Sequence, residues 1–371
     1  MFRFLDCLLE GGNEIDHICI STHKHPFDAD SYPGDLRKKI SVEHVRIATE
    51  VKPKEVVKHL FNRRSYNIAR FDSPLLHEKI NYHLKQKEYT HVILDSLYTC
   101  PYIDTIRSAS KAKIIVRTHN VEHLIWQQLA SNQKGTFRKW YMKRLAEDLK
   151  RYEITVLNKA DFVFSITSDD SEKFKKLGIK SSMHTIPVAI HVPADSADYS
   201  RRSICFLGAM NWGPNLEALK ILRNSIFPKL RSKYPELQFN LAGSFMNDQF
   251  PSVMEEGFIN HGFVENSNEF LKDHGILVLP LLSGSGVKIK VLEAMALGIP
   301  IVTTTVGAMG IEGKDALIIT DKEDLMIEMI STLIESEETR ASLGSAARDI
   351  VIKNYSTVSI AGQIQHLLNE Q

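Results

Sequence analysis

The sequence predicts an α/β fold built as two Rossmann-like domains, and three observations predict it. Short apolar runs of strand length alternate with helical patterns along the whole chain, the pattern of βα units on a parallel sheet. A polar, aperiodic stretch, residues 192–202 (VPADSADYSRR), interrupts the alternation near the middle and reads as an interdomain linker. The length, 371 residues, gives each half enough chain for a core of its own. The expected organisation is a first domain over 1–191, a second over 203–355, and a final helix over 356–371 that crosses back to the first.

In the first domain, residues 1–9 (MFRFLDCLL) have helical spacing that Gly11 and Gly12 end, and 15–21 (IDHICIS) reads as a strand. A Rossmann-like domain is expected to open on a strand, and no strand pattern is read ahead of this helix. The next loop holds His23, His25, Asp28 and Asp30, which invite a metal reading; a solvated charged loop is the preferred one, and no metal site is expected. A strand over 44–49, a helix from about Pro53, a helix over 74–87 and a strand over 91–94 follow. The strand 114–118 then delivers Arg117, His119, Asn120 and Glu122 (RTHNVEH) to its carboxyl end, the edge where parallel sheets hold ligands. His119 can donate or accept a hydrogen bond there near neutral pH, and capping of the next helix is the other use for it.

Phe137, Tyr141, Leu145, Leu149, Tyr152 and Val156 recur every three or four residues, with Lys134, Arg138, Lys139, Lys143, Arg144, Lys150 and Arg151 between them. A core-facing helix with a solvated basic side is the preferred reading. Peripheral contact with an anionic membrane, Trp140 included, is the alternative. A strand over 161–167 precedes a helix capped by Ser168 or Asp169 and running through Leu177.

The second domain opens with a strand over 203–207, the loop 208–215 (GAMNWGPN) and a helix to about Leu230, then a strand over 236–243. Gly208, lacking a side chain, lets that loop approach a ligand. The stretch 277–310 is the most informative in the chain. An apolar run, 276–282, opens into Ser283-Gly284-Ser285-Gly286; Val287, Val291, Met295 and Leu297 then give a helix that Gly298 and Pro300 stop. A strand, a glycine turn and a helix together form an anion site: N–H groups bared by Gly284 and Gly286, with the positive helix end, hold a phosphate, and Lys288 and Lys290 add charge. A plain tight turn has the same composition. Glu293 stands among Leu292, Ala294 and Met295, where an apolar residue would pack equally well; a carboxylate there can accept a pair of hydrogen bonds from a sugar diol, or simply answer the helix dipole. A second strand, 299–304, ends in another small-residue turn at 306–310, and the two loops are expected to wall one crevice.

Composition narrows the function. Forty-six basic residues against 45 acidic ones, with an isoelectric point near 7.7, give no global case for a nucleic-acid partner. Cys7, Cys19, Cys100 and Cys205 lack pair spacing, which points to reduced thiols and against a disulfide frame or zinc site. No apolar run approaches a membrane span and no leader pattern opens the chain, so a cytoplasmic, soluble protein is expected.

The segment 277–310 resembles the donor-nucleotide site of retaining GT-B glycosyltransferases of the family 4 type, the "glycosyl transferases group 1" set. That family carries two glutamates with seven residues between them. Glu293 matches the second, whose implied role is to bind the nucleotide ribose, while Ser285 stands where the first would be. A subset has a glycine-serine-glycine run there, followed by lysine and "LEA", and shares the Asn211-Trp212-x-Pro214-Asn215 loop; this chain resembles that subset. Ala209 and Pro214 occupy positions where many members place an arginine and a lysine on the donor phosphates, so Lys288 or Lys290 and the backbone turn are expected to meet that charge. The resemblance also extends to residues 66–73 (YNIARFDS), and it implies that His119 and Asn120 stand at the junction of sugar and acceptor. It implies further two Rossmann-like domains facing across a cleft, no resident cofactor or metal, and a UDP- or GDP-linked nucleotide-sugar as donor substrate. Gly208, Asn211, Gly284, Ser285, Gly286, Lys288, Lys290 and Glu293 are the implied donor-binding residues. The implied acceptor is a glycan or lipid-linked glycan in bacterial cell-surface polysaccharide or lipopolysaccharide assembly, with peripheral contact at the inner membrane as an option. Two other functions stay open: a catalytically silent GT-B binding module, and a sugar-nucleotide epimerase of the same fold.

Overall fold

The computed structural model describes residues 2–30, 32–52, 54, 55, 59, 65–245 and 257–369. The chain divides into two compact units, 1–187 with 361–371, and 188–360.

The first unit carries two parallel sheets. β1 (Asp16–Ser21) pairs with β2 (Ser41–Arg46) along its full length. β3 (His91–Asp95), β4 (Lys113–Thr118), β5 (Phe162–Ser165) and β6 (Ser182–Thr185) form the second sheet in that order. β4 and β5 lie in its middle, and Ile114, Ile115, Val116 and Val163 are wholly buried, which is why they read as unbroken apolar runs rather than alternations. Ile106, Leu149, Leu157 and Phe174 from the flanking helices close the core over them.

Several expectations shift. The strand expected over 44–49 lies at Ser41–Arg46, because pairing with β1 from Asp16 to Ser21 sets its limits. The helix Ser168–Lys176 is capped by Thr167, not by Ser168 or Asp169: Thr167 is extended, and its hydroxyl accepts the Asp170 N–H at 3.0 Å. β6 and the helical segment from Leu97 to Ala109 add to the expected elements. The start of the helix expected from about Pro53 lies outside the described residues. In helix Thr136–Leu157, Leu145, Leu149 and Val156 are buried while Phe137 and Trp140 stay exposed, so its first turns face solvent.

The second unit holds one six-stranded parallel sheet of β7 (Ile204–Leu207), β8 (Phe239–Ala242), β9 (Phe258–Asn260), β10 (Ile276–Leu279), β11 (Ile301–Thr303) and β12 (Ile318–Ile319). Their order across the sheet is β12-β11-β10-β7-β8-β9. The chain therefore steps outward one way from β7 and the other way from β10, the strand order of a Rossmann fold, and it reverses between those two neighbours. Helix Ile289–Leu297 packs beneath this point with Val291, Leu292, Met295 and Leu297 fully buried, each worth roughly 2 kcal/mol of apolar burial. Gly298 ends it in a left-handed cap at φ +75°. The polar stretch 192–202 contains no helix or strand and is tied to this unit: Ala197 donates to the Leu297 carbonyl at 2.7 Å, and Arg348 donates to the carbonyls of Pro193, Ala194 and Asp195.

Candidate functional site

The carboxyl ends of β7 and β10 open onto a cavity of about 260 Å³, at the place where the strand order reverses. Its walls come from the loop after β7, with Gly208 and Trp212, from the first turn of the helix Gly213–Ile221 that follows, with Asn215, and from the loop and helix start after β10, with Ser283, Lys288 and Lys290. Residues 304–310 do not line it, which corrects the expectation that the second small-residue loop walls the crevice. That loop is occupied with its own strand ends: Thr304 donates to the Leu281 carbonyl at 2.6 Å and accepts the Gly307 N–H at 3.2 Å.

Two lysines give the cavity its charge. Lys290 donates to the Leu207 carbonyl at 2.8 Å and to Asn215 Oδ1 at 3.0 Å, and its ammonium lies 4.9 Å from the centre of the Phe206 ring. Burial, reinforced by the charge of Lys288, lowers its pKa to about 7. Lys288 folds over its own loop, donating to the carbonyls of Ser285 at 3.2 Å and Gly286 at 2.7 Å, and burial lowers its pKa too. Gly284 and Gly286 take φ of +130° and +70°, conformations that L side chains rarely adopt, so the loop can turn tightly enough for this. No side chain caps helix Ile289–Leu297, leaving its first N–H groups and its positive end available to an anion.

Gly208 is required by packing. A Cβ there would stand 2.8 Å from Asn215 Nδ2, and that amide holds the loop by donating to the Ala209 carbonyl at 2.9 Å. Glu293 is half-buried on the second turn of the helix, while Asn211 is exposed on its loop and does not line the cavity. Ser285 is exposed at the turn. Asn215 and Trp212, which the sequence marked only as members of the Asn-Trp-x-Pro-Asn pattern, are walls of the site; the buried amide of Asn215 is the partner that a cationic Lys290 needs, and that pairing has no local signal.

In the first unit the polar residues at the end of β4 form a bonded group. Asp95, the last residue of β3, accepts from His119 and from the buried Arg117, each at 2.8 Å to the same oxygen. Burial alone would raise the Asp95 pKa, but the His119 hydrogen bond and the Arg117 charge outweigh it and hold the carboxyl well below the usual range. His119 is exposed beyond this pair, with half-buried Asn120 beside it. His119 does not cap the next helix; Glu153 takes that part, accepting the Glu122 N–H at 3.0 Å while its other oxygen bonds the buried His123. Among the described residues no three metal-ligating side chains are gathered, and Asp28 accepts the Asp30 N–H at 2.9 Å within its own turn.

Residues 201–336, the stretch that contains the lysine cavity, match the family described as "Glycosyl transferases group 1". Over 291 residues the chain is 24% identical to an uncharacterized 44.6 kDa protein in the cps region of Klebsiella pneumoniae, covering 75% of this chain and 74% of that one. Among solved structures it resembles Anabaena HepE in complex with UDP, at 13% identity and a TM-score of 0.66, over 96% of this chain and all of that one. It also resembles Staphylococcus aureus TarM in complex with fondaparinux, alpha-GlcNAc-glycerol and UDP, at 18% identity and a TM-score of 0.56. That match takes in 78% of this chain but only 58% of TarM. These likenesses establish the fold as GT-B.

Proposed function

We propose that the chain is a retaining glycosyltransferase that moves a sugar from a UDP- or GDP-linked donor, held by the second unit, to a hydroxyl of a glycan or lipid-linked glycan. The observation that carries this reading is the pair Lys288 and Lys290 in a cavity at the reversal point of the sheet, within the stretch that matches the group 1 family. The diphosphate lies against the open start of helix Ile289–Leu297 and the two ammoniums, so charge on the departing nucleotide meets fixed dipoles and cations and no metal is needed. Glu293 takes the ribose hydroxyls. His119, oriented by Asp95, touches the sugar or the incoming hydroxyl, with Asn120 beside it.

UDP in the TarM and HepE complexes supports the donor class, and the cps-region relative supports assembly of a cell-surface polysaccharide. A cytoplasmic location with peripheral contact at the inner membrane fits that role, and exposed Phe137 and Trp140 among Arg138, Lys139 and Lys143 are the side chains that would touch lipid. The reading is tested by incubating the chain with UDP-glucose and GDP-mannose, with EDTA present, over an array of oligosaccharide acceptors. Products read by NMR should keep the donor's anomeric configuration; inverted products, or activity that EDTA abolishes, contradict it. Failure to co-sediment with liposomes of anionic lipid at low salt removes the membrane contact. The exposed Ser285, standing where the family's first glutamate is expected, favours a second reading, a silent module that binds nucleotide-sugar without transfer.

A further inference from the structure

Arg70, in the segment 66–73 (YNIARFDS), is half-buried and is bonded unlike the other inward-facing arginines of this chain. Arg340 is engaged by the carbonyls of Tyr199, Leu333 and Ile334, Arg348 by those of Pro193, Ala194, Asp195 and Ala296, and Arg117 by the Asp95 carboxylate. Among the described residues Arg70 makes one hydrogen bond, from Nη1 to the Thr49 carbonyl at 3.0 Å, and no ion pair, and its Nε has no partner. The acids around it are occupied elsewhere: Asp72 accepts from His77 at 2.8 Å, and Glu122 accepts from the Tyr98 hydroxyl at 3.3 Å. Aromatic rings surround the guanidinium instead. Its carbon lies 5.6 Å from the centre of the buried Tyr66 ring, and its charge reaches the phenols of Tyr98 and Tyr141, where it opposes the rise that burial imposes on their pKa. Phe71 packs on Tyr98 with 5.0 Å between ring centroids.

We propose that Arg70 selects an anionic acceptor: a carboxylate or phosphate carried by the acceptor glycan lies against the guanidinium donors that the protein leaves unused, with Tyr66, Tyr98 and Tyr141 around it. This rests on the reading that the first unit holds the acceptor. A guanidinium carries its N–H donors in a rigid planar fork that matches the oxygens of either anion, and the Thr49 bond fixes the plane of the group while taking only one donor. A half-desolvated cation without a counter-ion costs free energy that an incoming oxyanion recovers and a neutral sugar does not. The position suits an acceptor. Thr49 comes just after β2, Tyr98 just after β3 and Glu122 just after β4, so the group stands at the carboxyl edge that also carries His119. The tyrosine rings add area on which the apolar face of a sugar can stack.

The test titrates the full chain, labelled with ¹⁵N at arginine and tryptophan, with hexyl glucuronide, glucose 1-phosphate and neutral hexyl glucoside. Two NMR signals read the site itself: the Arg70 Nε–H, assigned by its loss in Arg70→Lys, and the indole N–H of Trp126, which donates to Tyr98. The expected result is a saturable shift of both signals with at least one anion, at an affinity about tenfold or more above that for the glucoside. A response to the glucuronide alone identifies an acidic glycan, and a response to the phosphate alone a phosphate-linked one. In Arg70→Gln the Trp126 signal should lose the preference for the anion, while Arg70→Lys, which keeps the charge without the fork, retains part of it. No shift with either anion, equal affinity for the glucoside, or a preference that survives in Arg70→Gln would overturn the proposal. A UDP titration of the same sample reads the second unit separately: UDP binding without an anion preference at Arg70 overturns this proposal alone, and an anion preference without binding of any nucleoside diphosphate overturns the donor reading alone.

Discussion

Lys290 donates to Asn215 Oδ1 at 3.0 Å, joining residues 75 positions apart in the chain and fastening the first turn of the helix Gly213–Ile221, which follows β7, to the first turn of the helix after β10. The bond places a lysine with a pKa of about 7 at the cavity proposed to hold the donor diphosphate. An anion binds the protonated form. Affinity for a nucleoside diphosphate is therefore full below pH 7 and falls above it, by up to tenfold per pH unit, until the raised pKa of the bound state is reached. Calorimetric titration from pH 6 to pH 9 reads this, and Lys290→Met should flatten the profile. An unchanged slope in that variant removes Lys290 from the site.

Gly208→Ala drives a methyl group into the Asn215 amide, which must swing away from Lys290 and from the Ala209 carbonyl. The loop loses its fastening while the core beneath it is untouched. The expected outcome is diphosphate affinity reduced about tenfold or more, about 1.4 kcal/mol, with the melting temperature lowered by only a few degrees. A variant that binds as tightly as the parent would show that the loop tolerates movement of Asn215.

The strands were legible in the sequence where burial is symmetrical. β7 and β10 are apolar throughout, β4 and β5 carry the apolar runs 114–116 (IIV) and 162–164 (FVF), and each strand was expected within about three residues of its position. β6 (SMHT) escaped notice because it pairs only with β5 and is half-exposed, so neither apolar run nor clean alternation marks it. β2 was displaced because its limits come from β1, a partner that local pattern does not identify. In the site, the glycine turn, Lys288 and Lys290 were readable from spacing. The reach of Lys290 to a carbonyl 83 residues earlier, and the sharing of Asp95 by Arg117 and His119, are tertiary facts without a local signal.

Asp95→Asn leaves the buried Arg117 guanidinium without its carboxylate, and a broken buried pair costs about 3 kcal/mol. His119→Ala removes an exposed partner and should cost about 1 kcal/mol or less, so the two variants separate in urea titrations. The pH dependence has a definite sign. The folded-state pKa of Asp95 is depressed, so its stabilisation is present above the ordinary carboxylate value near 3.9 and lost as pH falls below it. In Asp95→Asn that part of acid unfolding should vanish.

His274 is buried against the Phe270 ring, 4.5 Å between centroids, and beside His261, and burial lowers its pKa. The folded state therefore resists its protonation. Its contribution to stability is intact above the unfolded pKa of about 6.5 and is lost as pH falls from there toward the lower folded value. Urea titrations between pH 5 and pH 7.5 should show the second unit weakening with acid, and His274→Phe should reduce the slope. A parent protein equally stable at both ends of that range would contradict the assignment.

The most direct measurement is calorimetric titration of the chain with UDP, GDP and ADP, in EDTA and again with Mg²⁺, repeated on Lys290→Met and Glu293→Ala. Saturable binding of at least one diphosphate without Mg²⁺, weakened about tenfold or more by each substitution in a protein that still melts cooperatively, is the predicted result. Absence of binding by all three, or binding that Lys290→Met leaves unchanged, would contradict the claim that the cavity at the ends of β7 and β10 holds the donor.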